Sequence, residues 1–263
     1  MRVLRSRRWR AAAVLTSVAA AIGFAGQVGS AQAPARPTLR VALYGDSIGE
    51  EIAVPLRFLL GADGFDVVFD QNTFGGTSAC DWLHEADADA RSFHPDVVVT
   101  LFIGNDMTPC MHPGGRTLSP AEAARRTAMD SNAIAARFPD ALVVRVGGPR
   151  SRADQAELDA GGASKPDLVN GLLARTTVGH LAYVDAGAAV YRAGRYADTL
   201  PCASFDGMCV AGRVTVRAPD GVHLCPAAPV ARAGVLPSCE VESPGATRMA
   251  MAIARAIDGE VDR

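Results

Sequence analysis

Ser47 closes the run Val41-Ala-Leu-Tyr-Gly-Asp-Ser47, and near the other end of the chain Asp220 and His223 stand in the pattern Asp-x-x-His. A serine, an imidazole and a carboxylate are the working parts of acyl transfer: the hydroxyl attacks, the base takes its proton, and the acid orients the base. The D-x-x-H spacing lets one tight turn supply two of the three, with Asp220 accepting from imidazole Nδ1 and Nε2 left to face Ser47. The reaction also needs donors aimed at the developing oxyanion. The backbone N–H of Ser47, the backbone N–H of Gly76 and the side-chain amide of Asn105 are the candidates. Glycine suits the second position because a backbone without Cβ can approach substrate closely; Gly75 is the alternative there.

The span Gly45 to Gly49 also satisfies G-x-S-x-G, the nucleophile elbow of a different hydrolase architecture. Elbow serines lie deep in the chain after several strands, and their acid precedes the histidine by many tens of residues. Here Ser47 follows the first apolar run and the acid shares a turn with the base, which excludes the elbow. The plain structural alternative for Ser47 is a helix N-cap. Asp46 is expected to support the serine's loop and Asp106 to tie loops together, neither to react. His84, His94, His112 and His180 lack a partner at comparable spacing and are read as surface or loop residues. Asp81 and His84 repeat the spacing, but on a helix that points them away from Ser47. Trp82 is either a substrate wall or a cap on the core, and Arg150 and Arg152 either line the mouth or are solvated charges, the latter being the reading adopted.

Elements must bring these distant residues together. Apolar, β-branched runs recur at Leu39 to Tyr44, Asp66 to Phe69, Val97 to Ile103, Ala141 to Val146 and Leu181 to Val184. Their continuous apolarity marks strands covered on both faces. Helix-like stretches alternate with them: Glu50 to Leu60, Asp81 to Ala90, Pro120 to Phe138 capped by Ser119, Lys165 to Val178, and Pro244 to Ile257 after Ser243. That alternation predicts an α/β fold, a three-layer α/β/α sandwich on a five-stranded parallel sheet of flavodoxin-like order 2-1-3-4-5. Ligands of such sheets bind beyond the carboxyl ends of the strands, near the switch point. Asp46-Ser47, Gly75-Gly76-Thr77 and Gly104-Asn105-Asp106 follow strands one, two and three and converge there. Leu200 to Ser243 shows no periodicity and reads as a loop held by disulfides.

Residues 1–33 read as an export signal: five arginines and no acid, an apolar run Ala11 to Ala25 too short for a comfortable membrane span, then small residues. Cleavage after Ala31 or Ala33 and Sec or Tat export all stay open. Residues 34–263 then form a single domain. Of the 26 basic and 28 acidic side chains, the signal removes five basic ones, leaving 21 against 28, a formal charge of −7. Nucleic acid is thereby excluded as a partner. The six cysteines, Cys80, Cys110, Cys202, Cys209, Cys225 and Cys239, all lie in the exported part, where an even count implies disulfides. Fifteen pairings are possible; sequence proximity pairs Cys202 with Cys209 and Cys225 with Cys239, leaving Cys80 with Cys110. No C-x-x-C pair exists, which weighs against zinc.

Taken in order, Gly45-Asp46-Ser47, Gly76, Gly104-Asn105-Asp106 and Asp220 to His223 resemble the four blocks of the SGNH superfamily of GDSL-type esterases and lipases, over residues 39–258. The chain is most similar to secreted bacterial members carrying GGTxxCDW (here Gly75 to Trp82), GNxxTPCM (Gly104 to Met111) and DGxHLCP (Asp220 to Pro226). The resemblance implies Ser47 as nucleophile, His223 as base, Asp220 as its orienter, and Ser47, Gly76 and Asn105 as oxyanion donors. It departs from many members where Cys225 to Cys239 intervene before the last helix, a loop expected to reshape one wall of the site. The expected activity is a secreted serine esterase that hydrolyses carboxylic esters, with short acyl chains, without metal or organic cofactor. Two other readings stand beside it: acyl transfer to a cell-envelope sugar by the same triad, and a non-catalytic secreted binding module. The expected partner is a small-molecule or carbohydrate ester; no membrane insertion after signal removal and a monomeric state are expected as well.

Overall fold

The five apolar runs become five parallel strands, β1 (Thr38–Gly45), β2 (Asp66–Thr73), β3 (Val97–Leu101), β4 (Leu142–Val146) and β5 (Leu181–Val184). In this computed structural model the described residues are 36–176, 180–207, 209–225 and 243–261. The proposed signal, residues 1–33, and the second cysteine of the Cys225–Cys239 pair lie outside them. The strand order is β2-β1-β3-β4-β5, as the pattern predicts. Side chains alternate across the pleat: Val41 and Leu43 face one layer, Ala42 and Tyr44 the other. Every residue of β3 is buried, as a central strand between two layers requires. At the edge, β2 is only partly covered, and its polar Asp70 and Asn72 extend the strand four residues beyond the apolar run.

Helices α1 (Ser47–Ala62) and α6 (Pro244–Val261) cover one face, joining Ile48, Ile52, Leu56, Met249 and Ile253 to the strands. Helices α2 (Leu83–Ser92) and α3 (Pro120–Ala135) cover the other through Ala86, Ile134 and Ala135. Ser119 and Glu122 form a capping box that starts α3, with Pro120 in the first turn where its missing N–H costs nothing. Helix α4 (Arg152–Asp159) was not expected, although Ser151 and Asp154 cap it reciprocally and that spacing is visible in the sequence. Helix α5 (Lys165–Ala174) packs on α3 through Val169 and Leu173.

Part of the supposed loop after Leu200 is ordered. Two antiparallel hairpins follow β5: β6 (Tyr191–Arg192) with β7 (Arg195–Tyr196), then β8 (Thr199–Pro201) with β9 (Arg213–Thr215). The second is closed by a Cys202–Cys209 disulfide, and Cys80 is bonded to Cys110, both as sequence proximity pairs them. Cys225 is also disulfide-bonded. Ser243 Oγ donates to the Leu224 carbonyl at 3.0 Å. Among the described residues no helix is long and apolar enough to cross a membrane.

Candidate active site

Sheet register brings three loops to one place. Gly45, the last residue of β1, pairs with Thr73 of β2 and Leu101 of β3, so all three strands end side by side. The Gly45 carbonyl then accepts from Phe74 N and Thr77 Oγ1, each at 3.3 Å, and Asp46 N donates to the Leu101 carbonyl at 3.3 Å. Ser47 is the first residue of α1 and 6% exposed. The capping role belongs to Asp46: its Oδ1 accepts from Ile48 N at 3.0 Å and its Oδ2 from Ile103 N at 2.8 Å. One carboxylate thus starts the helix and fastens the loop beyond β3, and the Ser47 hydroxyl is left out of the cap. Burial pushes Asp46 up to about 6, although the N–H groups of Ile103, Ile48 and Gly49 and the charge of His223 pull the other way.

The loop beyond β2 carries Gly76 at φ +79°, a left-handed conformation that favours glycine. A Cβ there would lie 2.9 Å from Met107 Cε. Burial raises the carboxyl of Glu50 on α1, and the neighbouring Gly75 N–H and the His223 charge lower it in part. Thr77 is the hub of the loop: it accepts from Trp82 Nε1 at 3.1 Å, and its carbonyl accepts from Asn105 Nδ2 at 3.3 Å. Trp82 therefore braces the loop and packs on the core. The Asn105 carbonyl accepts from Ser78 Oγ, and the second amide hydrogen of Asn105 stays available. The Cys80–Cys110 disulfide spans the same two loops. Asp106 pairs with Lys165 Nζ at 3.1 Å, the tying role expected of it.

Asp220 and His223 form the turn that the D-x-x-H spacing implies. Asp220 Oδ2 lies 2.6 Å from His223 Nδ1, while Oδ1 accepts from Val222 N at 2.8 Å and His223 N at 3.1 Å. Burial alone would raise the Asp220 carboxyl; the imidazole and the two N–H groups outweigh it and hold the group below its ordinary value. Arg217, buried beneath the turn, donates to the Val222 carbonyl at 3.0 Å and the Arg150 carbonyl at 2.9 Å. The turn sits beside the first turns of α1: Leu224 N donates to Glu51 Oε2 at 2.8 Å, and the His223 charge acts on Asp46, Glu50 and Glu51. Among the described residues no hydrogen bond joins Ser47 Oγ to His223; such contacts are commonly long before substrate binds.

One reading changes. Arg150 is not a solvated charge, since it pairs with Asp167 and lies over the Tyr191 ring; Arg152 is exposed, as read, and pairs at the surface with Asp198. Glu51 and Arg217 had no signal in the sequence, because they meet backbone groups: Leu224 N for Glu51, the Val222 and Arg150 carbonyls for Arg217. Asp81 serves Ser78 N as a cap and His84 is exposed, so that pair takes no part in the site.

No protein-family model and no curated protein sequence matches the chain. Solved structures do. An acetyl esterase and a carbohydrate esterase family 3 protein from Talaromyces cellulolyticus each superpose with a TM-score of 0.55 at 17% identity, over 86% of this chain and 99% of theirs. A lipase/acylhydrolase from Enterococcus faecalis gives 0.51 at 16%, over 85% and 97%. The chain has the SGNH-hydrolase fold. In this chain the polar loops at the ends of β1, β2 and β3 lie together at one end of that sheet.

Proposed function

We propose that the chain is an exported serine esterase acting on carboxylic esters with short acyl groups, acetyl first among them. The observation that carries this reading is the 2.6 Å contact of Asp220 with His223 in a turn seated against the helix that Ser47 opens. Its support from outside is the SGNH fold shared with proteins described as acetyl and carbohydrate esterases. Two disulfides among the described residues accord with export.

Ser47 Oγ attacks the acyl carbon while His223 Nε2 takes its proton, and Asp220 holds the ring so that Nδ1 carries the other. The tetrahedral oxyanion is met by the N–H groups of Ser47 and Gly76 and the amide of Asn105. Protonated His223 gives its proton to the leaving alcohol as the C–O bond breaks, leaving an acyl ester on Ser47. Water, deprotonated by His223, attacks that ester; the acid leaves and Ser47 recovers its proton.

Purified Ser47→Ala is expected to lose about 10³-fold or more in kcat on p-nitrophenyl acetate, and a fluorophosphonate is expected to label Ser47 in the folded wild type. Retained turnover in the variant, or no labelling, rejects the assignment. Product analysis with a sugar acceptor present separates hydrolysis from acyl transfer.

A further inference from the structure

Asp220 fixes the His223 ring within its own turn, but it does not fix where that turn stands relative to the serine helix. The contact that does so is Leu224 N to Glu51 Oε2, 2.8 Å across 173 residues of chain. Glu51 lies one helical turn after Ser47 on the same side of α1 and is 1% exposed. Leu224 follows the base directly, and its carbonyl is held in turn by Ser243 Oγ at 3.0 Å. The residue after the base is therefore pinned on both sides of its peptide, once to α1 and once to the start of α6.

We propose that Glu51 is a positioning residue that sets the distance between His223 and Ser47 by anchoring the base turn to the nucleophile helix, an inference that rests on the esterase reading above. The charged groups around it are His223 and Asp220 on the turn, Arg217 beneath the turn, and Glu50 on its own helix. A buried carboxylate in an apolar layer is costly unless it serves a donor. Here the donor is a backbone N–H that would be orphaned by any apolar residue at position 51. Because the anchor acts on geometry and touches no reacting atom, its loss should fall on kcat and spare KM. A misplacement of about 1 Å at the chemistry costs on the order of 10²-fold.

The test compares wild type with Glu51→Gln, which keeps an acceptor oxygen, and Glu51→Ala, which does not. On p-nitrophenyl acetate, Glu51→Ala is expected to lose about 10²-fold in kcat with KM within about threefold, and Glu51→Gln to stay within about threefold in both, a rescue by the conservative residue. In parallel, amide hydrogen exchange over residues 217–225 is expected to quicken at least about tenfold in Glu51→Ala and not in Glu51→Gln, with the sheet unchanged. Glu51→Leu fills the volume without an acceptor and carries the same expected loss if the alanine cavity unfolds the protein. An undiminished kcat in a folded variant without the acceptor, unchanged exchange over that segment, or equal loss in Glu51→Gln and Glu51→Ala overturns the inference. A wild type that neither hydrolyses esters nor takes the fluorophosphonate overturns the esterase reading, and the positioning role with it. A wild type that does both while the variants keep full kcat overturns the positioning role alone.

Discussion

The strongest test of the oxyanion assignment falls on Asn105. Its amide spends one hydrogen on the Thr77 carbonyl, and the proposed role gives the other to the oxyanion; Asn105→Ala is expected to lower kcat about 10²-fold, and an unchanged kcat removes it from that role. Asp220→Asn should be more severe than its modest volume change suggests, since the amide presents a donor to Nδ1 and selects the wrong tautomer; steady-state kinetics with the same ester should record a loss of about 10²-fold or more. Ser47, Asp220, His223 and Asn105 are proposed from residue type and order, because each has a chemical reason to be where it is; the choice of Gly76 over Gly75 rests on alignment with the resembling blocks. The division of labour between Asp46 and Ser47 could not, since either residue makes a good cap on paper. Only the fold shows that Ser47 is already helical and that Asp46 reaches both Ile48 and Ile103. Glu51 and Arg217 were illegible for a different reason: a buried charge declares itself through its partners, and theirs are backbone groups whose placement only the fold shows, one of them 173 residues from Glu51.

Strands and helices were read from apolar runs and caps, and those signals were reliable where a run is buried on both faces. They understated β2, an edge strand continued by polar residues, and missed α4 and the β8–β9 hairpin, which are short and held mainly by a capping box and a disulfide. Two predictions belong to these elements. The Cys80–Cys110 bond joins the Gly76 loop to the Asn105 loop, closing a sequence separation of 30; replacing both cysteines by serine should cost about 3 kcal/mol in urea unfolding and lower kcat through the loosened donors, and a variant with wild-type kcat would show that the loops hold themselves. Gly45 lies where β1 turns into α1, and a Cβ would meet Gly49 Cα at 2.9 Å and the Leu101 carbonyl at 3.0 Å, both backbone. Gly45→Ala must push the nucleophile helix from the sheet, and a loss of about 1–3 kcal/mol is expected in the same assay.

For the whole molecule, acids buried around the site link stability to pH. Burial raises Asp46 from 3.8 to about 6 and Glu51 from 4.5 to about 7, so each binds its proton more tightly folded than unfolded. Ionising them therefore opposes folding: their penalty is absent below about pH 4 and grows as pH rises through 6 and 7. Glu51→Gln removes the larger share, and relative to wild type it should gain about 2 kcal/mol of unfolding free energy between pH 5 and pH 8; a pH-independent difference in chemical denaturation would contradict the burial argument.

Helix α6 closes the layer that α1 begins, with Met249 and Ile253 in one apolar cluster with Ile48, Ile52 and Leu56. A chain emerging from the ribosome thus makes the first helix of this layer early and its cover last. Until some 200 further residues have followed, the oily side of α1 has no native lid, and any nascent or prematurely terminated product ending before Pro244 presents it to water and to its neighbours. Truncations at the carboxyl end should for that reason appear in the insoluble fraction of a cell rather than as a soluble, weakened protein, with the five-stranded sheet intact in design and one of its faces covered by α1 without α6.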